Sequence, residues 1–134
     1  MPKVRSVVFF IVVLISISLA SCLKSDIEFE YFKVRVDSLS VPSSISHKDT
    51  LNIQLYGTIG SDGCHSFSHF EAERDTFELK LTVWWKRYVK AGACPTIMIY
   101  LDTVYSIFPL YPGSFYIEIQ QPDDSTLNDT VNIE

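Results

Sequence analysis

The sequence is poor in positive charge, in glycine and proline, and in long apolar runs. Only 11 of 134 residues are Lys or Arg against 16 Asp or Glu, and the formal net charge is −5. This balance argues against a protein that neutralises nucleic-acid phosphates with a basic face. With five glycines and six prolines there is no low-complexity segment. The hydrophobic share of 47% excludes a disordered, solvating chain. The length of 134 residues allows one folded domain.

Recognisable catalytic motifs are missing as well. The chain has no Gly-x-Ser-x-Gly elbow, no His-Glu-x-x-His and no P-loop lysine motif. His47, His65 and His69 could each act as a base, but none stands beside a nucleophile in a recognisable context. The sequence therefore predicts a non-catalytic protein without a cofactor.

Apolar residues are concentrated near the N-terminus. Lys3 and Arg5 precede an apolar stretch at 7–19, which is interrupted only by Ser16 and Ser18. Thirteen helical residues span roughly 20 Å, which is short of the ~30 Å hydrocarbon core of a membrane. A helical secretory signal peptide is therefore expected, and an uncleaved membrane anchor is the alternative.

The end of this stretch, Leu19-Ala20-Ser21-Cys22, looks like a bacterial lipobox. In lipoproteins that carry this motif, the cysteine thiol is diacylated, the chain is cut before it, and the new amine is acylated. The resemblance therefore implies that Cys22 carries lipid, palmitate included, and anchors the chain to a membrane. Several chains anchor firmly because each buried CH₂ contributes about 0.8 kcal/mol. An ordinary signal peptide followed by a chance cysteine is the alternative.

Cleavage before Cys22 divides the chain into a signal peptide at 1–21, a tether at 22–30 and a domain at 31–134. Loss of Lys3 and Arg5 leaves 9 basic and 16 acidic residues, a formal charge of −7. An acidic domain is not expected to bind nucleic acid or to adhere directly to anionic lipid.

The other two cysteines are expected to form a disulfide. With Cys22 assigned to lipid, Cys64 and Cys94 remain as a pair in a compartment that permits disulfides. The bond would close a loop of 31 residues and contribute roughly 3 to 4 kcal/mol. Zinc held by Cys64, His65 and His69 is the competing interpretation. On one strand the two histidines would share a face about 13 Å apart, too far for one ion, so no metal is predicted.

Strand-like alternation recurs throughout the mature chain, and apolar spacings of three and four never persist. Gly57 lies inside one alternating run, where it could mark a bulge. The number of runs favours an all-β, two-sheet sandwich of about seven strands. Strands are expected at 31–41, 51–59, 66–73, 77–89, 95–101, 103–108, 115–119 and 131–133, with a polar loop at 122–129.

A local motif, Leu110-x-Pro112-Gly113-x-Phe115-x-Ile117, looks like the corner before strand F in immunoglobulin-like domains. That corner often carries a tyrosine whose hydroxyl ties it, whereas Phe115 has no hydroxyl. A plain turn is the alternative.

The whole mature chain resembles the small immunoglobulin-like lipoproteins of Gram-negative anaerobes. The resemblance implies an immunoglobulin-like sandwich at the bacterial cell envelope, at the outer membrane, and it implies no activity. It rests on the lipobox, the corner motif, and the segments Gly63-Cys64-His65-Ser66-Phe67 and Gly92-Ala93-Cys94.

Aromatic residues provide the functional hypothesis. Trp84 and Trp85 are adjacent and face opposite ways on a strand, and Trp84 shares the parity of charged neighbours. Trp84 is therefore expected to point outward and, with Tyr88, Tyr100 or Tyr116, to form a platform for a glycan or a protein. The alternative is that lysine stems or a loop cover it. The chain is thus predicted to be a lipid-anchored binding or accessory module, or else a structural spacer without a ligand.

Overall fold

The computed structural model describes residues 28–90 and 92–134. The predicted signal peptide, Cys22 and most of the tether lie outside the described residues. Within these two ranges, no helix has the length and apolarity needed to cross a membrane. The described residues form nine strands rather than about seven: β1 Phe29–Lys33, β2 Val36–Ser40, β3 Ser44–Ile45, β4 Leu51–Gly60, β5 His65–Arg74, β6 Glu78–Tyr88, β7 Ile99–Ile107, β8 Gly113–Gln120 and β9 Thr126–Ile133.

The strands form two sheets, which confirms the all-β prediction and is consistent with a β-sandwich. One sheet has six strands, in the order β1-β6-β8-β9-β3, with β5 paired to β6 as well. The other has three strands, in the order β2-β4-β7. Two pairings are parallel, β6 with β8 and β3 with β9, and the remaining pairings are antiparallel.

The core consists of every second residue of the long strands, because successive side chains point to opposite faces of a sheet. Most of the alternating residues expected to be apolar on β4, β6 and β8 are buried, and together they form one cluster. The exceptions are Ile59, which is partly buried near the end of β4, and Phe77, which is 48% exposed and lies one residue before β6. The fully buried members of this core cluster include Leu51, Ile53, Leu55, Leu79, Leu81, Val83, Phe115, Ile117 and Ile119.

The run expected as one strand at 31–41 is divided between the two sheets. β1 pairs with β6, and β2 pairs with β4, with the crossing at Val34 and Arg35. The alternation continues through the crossing, so Val34 and Val36 are both buried. A Cβ on Gly57 would overlap the carbonyl oxygen of Arg35, so only glycine allows this close approach. A register shift after Val36 places a bulge in β2, opposite Gly57, and not at Gly57 itself, where it was expected.

Two other expected boundaries were wrong. The residues expected as two short strands at 95–101 and 103–108 contribute to the single strand β7, in which Asp102 accepts a hydrogen bond from Gln54 of β4. The polar segment expected as a loop at 122–129 enters β9 at Thr126. Its polar side chains are exposed, which explains why polarity alone suggested a loop.

The chain turns from β7 to β8 at the expected corner. Leu110 is buried, and Phe115 is fully buried in the core. Gly113 adopts a φ of 137°, a backbone conformation that favours glycine. A Cβ there would lie 3.2 Å from the Phe77 ring, so glycine also provides space for that ring.

Candidate functional site

A break in the outer face of the six-stranded sheet creates a surface depression. β1 and β8 pair end to end with the same edge of β6, β1 along 84–88 and β8 along 78–81. Between the end of β1 and the end of β8 lies a depression of about 220 Å³, here called the junction depression. Its lining consists of Lys33, Glu71, Glu73, Lys80, Thr82 and Gln120.

The floor of the junction depression is Thr82. This residue is only 8% exposed although it lies on the solvent-facing side of β6, because longer side chains surround it. Two ammonium groups, two carboxylates and one amide line the walls. Hydrogen-bond donors and acceptors therefore surround one small volume, an arrangement that suits a ligand rich in hydroxyl groups.

Trp84 lies on the same face, next to this depression. Its Nε1 donates a hydrogen bond of 2.7 Å to Oε2 of Glu71, which is itself a lining residue. The indole lies nearly parallel to the His69 ring, with an interplanar angle of 10° and centroids 6.1 Å apart. Trp84 is half-buried, and Trp85 is 8% exposed within the core. The Trp84 ring is thus held beside the depression by two residues of β5.

The four aromatic residues expected as a platform do not lie together. Tyr88 and Tyr116 share the outer face of the six-stranded sheet with Trp84, but they lie towards opposite ends of β6. Tyr100 is 65% exposed on β7, which belongs to the other sheet. A single platform that includes Tyr100 is therefore wrong, because sequence parity does not show to which sheet a strand belongs.

The two histidines of β5 do not share a face, contrary to expectation. The β5–β6 register shifts between Phe67 and His69, and this bulge reverses the parity of the strand. His65 lies opposite Arg87, and its ring packs edge-on against Phe32, while His69 lies beside Trp84 on the outer face.

The disulfide between Cys64 and Cys94 is present, as the sequence predicted, with 5.4 Å between the Cα atoms. It ties the segment before β7 to the turn before β5, where Gly63 N also donates to Pro95 O. Sulfur atoms of both cysteines and a carboxylate oxygen of Asp62 lie within 4.8 Å of one another, but the disulfide leaves no thiolate to bind a metal ion.

Asp62 caps the turn beside the disulfide. Its Oδ1 accepts a hydrogen bond from Cys64 N at 3.0 Å and lies 2.9 Å from Nδ1 of His65. Burial raises the pKa of Asp62, but the bond from Cys64 and the proximity of His65 and Arg87 outweigh burial, so the pKa lies below its usual value.

The sequence interpretation missed the charged lining of the junction depression. Lys33, Glu71, Glu73 and Gln120 come from β1, β5 and β8, which are far apart along the chain. The parity of Lys80 and Thr82 with Trp84 was visible, but the positions of the other strands beside β6 were not. The bulge in β5 also shifts Glu71 and Glu73 onto this face.

Comparison of the chain with protein-family models, with curated proteins and with solved structures finds no match. The chemistry of the site therefore rests on two features of this chain: a small polar volume at a strand junction and an aromatic ring held at its side.

Proposed function

We propose that the protein is a lipid-anchored lipoprotein of the bacterial outer membrane that acts as a non-catalytic binding module for a glycan. The observation that carries the proposal is the half-buried indole of Trp84 next to the junction depression. Sugar rings combine an apolar face, which stacks on aromatic rings, with hydroxyl groups, which need several donors and acceptors at once. Trp84 and the lining of the depression supply both kinds of group.

The pairing of Trp84 with Glu71 supports this role. Because Nε1 of Trp84 is bonded to Glu71, the ring has a defined orientation before any ligand arrives. A ring that is already ordered loses less conformational entropy on binding.

A glycan array probed with the lipidated protein in detergent tests the proposal. Replacement of Trp84 by Ala should weaken binding about tenfold, which corresponds to about 1.4 kcal/mol. The matched control is Tyr100→Ala, which removes an exposed aromatic from the other sheet and should leave binding unchanged. Unchanged binding by the Trp84→Ala variant would contradict the proposal, and a wild-type protein that binds no glycan would favour the structural spacer.

Stability measurements make the array result interpretable. Trp85→Ala should lower the free energy of unfolding by about 3–5 kcal/mol, because it empties part of the core. Trp84→Ala should cost far less, since its half-buried ring lies on the outer face of the sheet and not in the core. Equal losses for the two variants would assign Trp84 a structural role instead.

The anchoring part of the proposal depends on Cys22. Replacement of Cys22 by Ser should move the protein from the membrane fraction to the soluble fraction, because it removes the thiol that would be acylated. Intact mass measurement of the native protein should show acyl groups on a chain that begins at residue 22. Membrane association that survives the Cys22→Ser replacement would contradict the anchor.

The proposed fold subclass is an immunoglobulin-like sandwich. Two sheets around one core and the Gly113 corner support it. The parallel pairing of β6 with β8 departs from the antiparallel sheets of that class, so the proposal is a variant of the fold.

A further inference from the structure

The free sheet edges of this domain differ sharply in how they are protected. A free edge exposes unpaired N–H and C=O groups, and proteins usually protect it by shortness, charge, bulges or a cover. Among the described residues, β1, β2 and β3 have at most five residues each. Gln121 additionally occupies the outer N–H and C=O of Val36 on β2. The long edge strand β5 is bulged between Phe67 and His69 and carries Glu71 and Glu73.

β7 has fewer of these protections. It is a nine-residue strand, Ile99–Ile107, without proline, lysine or arginine, and Asp102 is its one charged residue. Its pairing with β4 is the one sheet contact of this strand among the described residues. Apart from the β4 pairing, no backbone group or side chain among the described residues is hydrogen-bonded to the backbone of β7. Tyr100 and Val104, at 65% and 44% exposure, add apolar surface beside this edge.

An incompletely covered apolar strip lies across from the same edge. Phe67 and Phe70 of β5 have ring centroids 5.0 Å apart, and Phe70 lies 5.1 Å from Tyr105 of β7. Phe67 pairs in register with the buried Trp85, yet it remains 38% exposed. Among the described residues, no strand lies beyond β7 in the three-stranded sheet to cover Phe67.

We propose that the free edge of β7 is a docking site for one extended segment of another protein, which would add a fourth strand to the three-stranded sheet. An extended polypeptide has the alternating backbone donors and acceptors that a strand edge requires. Apolar side chains at every second position of the segment would contact Phe67 and Tyr105.

Charge defines the segment further. The described residues contain 15 acidic and 8 basic side chains, and the one charged residue of β7 is Asp102, so charge complementarity favours a basic segment. A second copy of this domain carries the same excess of negative charge, which opposes edge-to-edge pairing of two copies. This site is separate from the junction depression, which lies on the outer face of the other sheet.

A synthetic peptide tests the docking site. The probe is a capped, fluorescent nine-residue peptide, Lys-Val-Thr-Ile-Lys-Val-Thr-Ile-Lys, added to the full lipidated protein in detergent. Binding should be saturable, and hydrogen exchange should show new protection of amides within residues 99–107. The same peptide with N-methyl groups on every second residue keeps its side chains but loses one hydrogen-bonding edge, and it should not bind.

Two protein variants test whether the peptide binds at the edge of β7. Val104→Lys adds a charge at the edge and should weaken binding about tenfold, because charged side chains oppose strand addition. Thr58→Lys adds the same charge to the same sheet, but on the central strand β4, and should change affinity by less than about twofold.

Several results would overturn the proposal. They are absence of binding, equal binding of the N-methylated peptide, equal weakening by the two lysine variants, and new amide protection on β5 instead of β7. Concentration-dependent dimers that Val104→Lys abolishes, without peptide binding, would identify a second copy as the occupant and would also overturn it.

Discussion

At the residue scale, the adjacent side chains of Trp84 and Trp85 have different roles because successive residues of a strand point to opposite faces of the sheet. Trp85 packs into the core, where its Nε1 has no hydrogen-bond partner among the described residues, and its ring meets Phe67 edge-on. Trp84 points the other way and bonds to Glu71. Hydrogen bonding therefore orients the outward ring, while packing orients the inward one.

Asp123 offers a pH-dependent test at this scale. Hydrogen bonds from the Ser125 hydroxyl, the Arg35 side chain and the Ser125 backbone lower its pKa to about 2. Because the pKa of Asp123 in the folded state lies below the ordinary value of 3.8, the ionised group stabilises the fold above about pH 4. That contribution should disappear as the pH falls towards 2.

An NMR titration of the side-chain carboxyl should give this low pKa directly. In Asp123→Asn, the free energy of unfolding should fall less steeply between pH 4 and pH 2 than in the wild type. Replacement of Arg35 by Gln should raise the pKa of Asp123. A midpoint for Asp123 near 4 in the wild type would contradict this account.

At the element scale, one buried side chain supports the crossing from β1 to β2. Gln121 is 4% exposed, and its amide accepts from Val36 N and donates to Val36 O, both at 3.0 Å. These bonds replace the ladder bonds that Val36 would have with a neighbouring strand. The crossing thus satisfies its buried backbone through a residue that lies just after β8.

Replacement of Gln121 by Ala should therefore destabilise the domain by about 2–3 kcal/mol, since two buried backbone groups lose their partners. Its neighbour Gln120 is a matched control, because its amide is partly exposed and bonds to Glu118 instead. Gln120→Ala should cost less than about 1 kcal/mol. Urea unfolding of both variants measures the difference, and similar losses would refute the special role of Gln121.

At the scale of the whole molecule, the disulfide links the two sheets. Cys64 directly precedes β5 of the six-stranded sheet, and Cys94 lies five residues before β7 of the three-stranded sheet. The bond therefore restricts the end of the sandwich at which β1 begins and β6 ends. Exposed apolar residues near it, Ile97 and Met98, are consistent with a segment that is held by this bond rather than by burial.

Conversion of both Cys64 and Cys94 to Ser should lower the free energy of unfolding by roughly 3 to 4 kcal/mol, through the greater entropy of the unfolded chain. Reduction of the wild-type protein should give the same loss in denaturant unfolding, whereas the double variant should be insensitive to a reductant. If neither the double substitution nor reduction of the wild-type protein lowered the free energy of unfolding, or if only one of them did, this role of the disulfide would be contradicted.

Much of the core and the disulfide could be predicted from the sequence. Residues such as Ile53, Leu81 and Ile117 were recognisable because alternation along a strand depends only on the local pleat. The Cys64–Cys94 pair was recognisable because the predicted lipidation of Cys22 left two cysteines. The grouping of Tyr100 with Trp84 was wrong, because parity describes the face of one strand and carries no information about its sheet.

The order of residues alone determined most of the strand-forming runs, the inner faces of β4, β6 and β8, and the pair of cysteines, since each depends on local alternation or on composition. The tertiary structure decided which strands are neighbours, and with this the division of the first run, the β5 bulge and the junction depression. The physical reason is that backbone hydrogen bonds are much alike between any two strands. Pairing is therefore selected by how all the inner faces pack together at once.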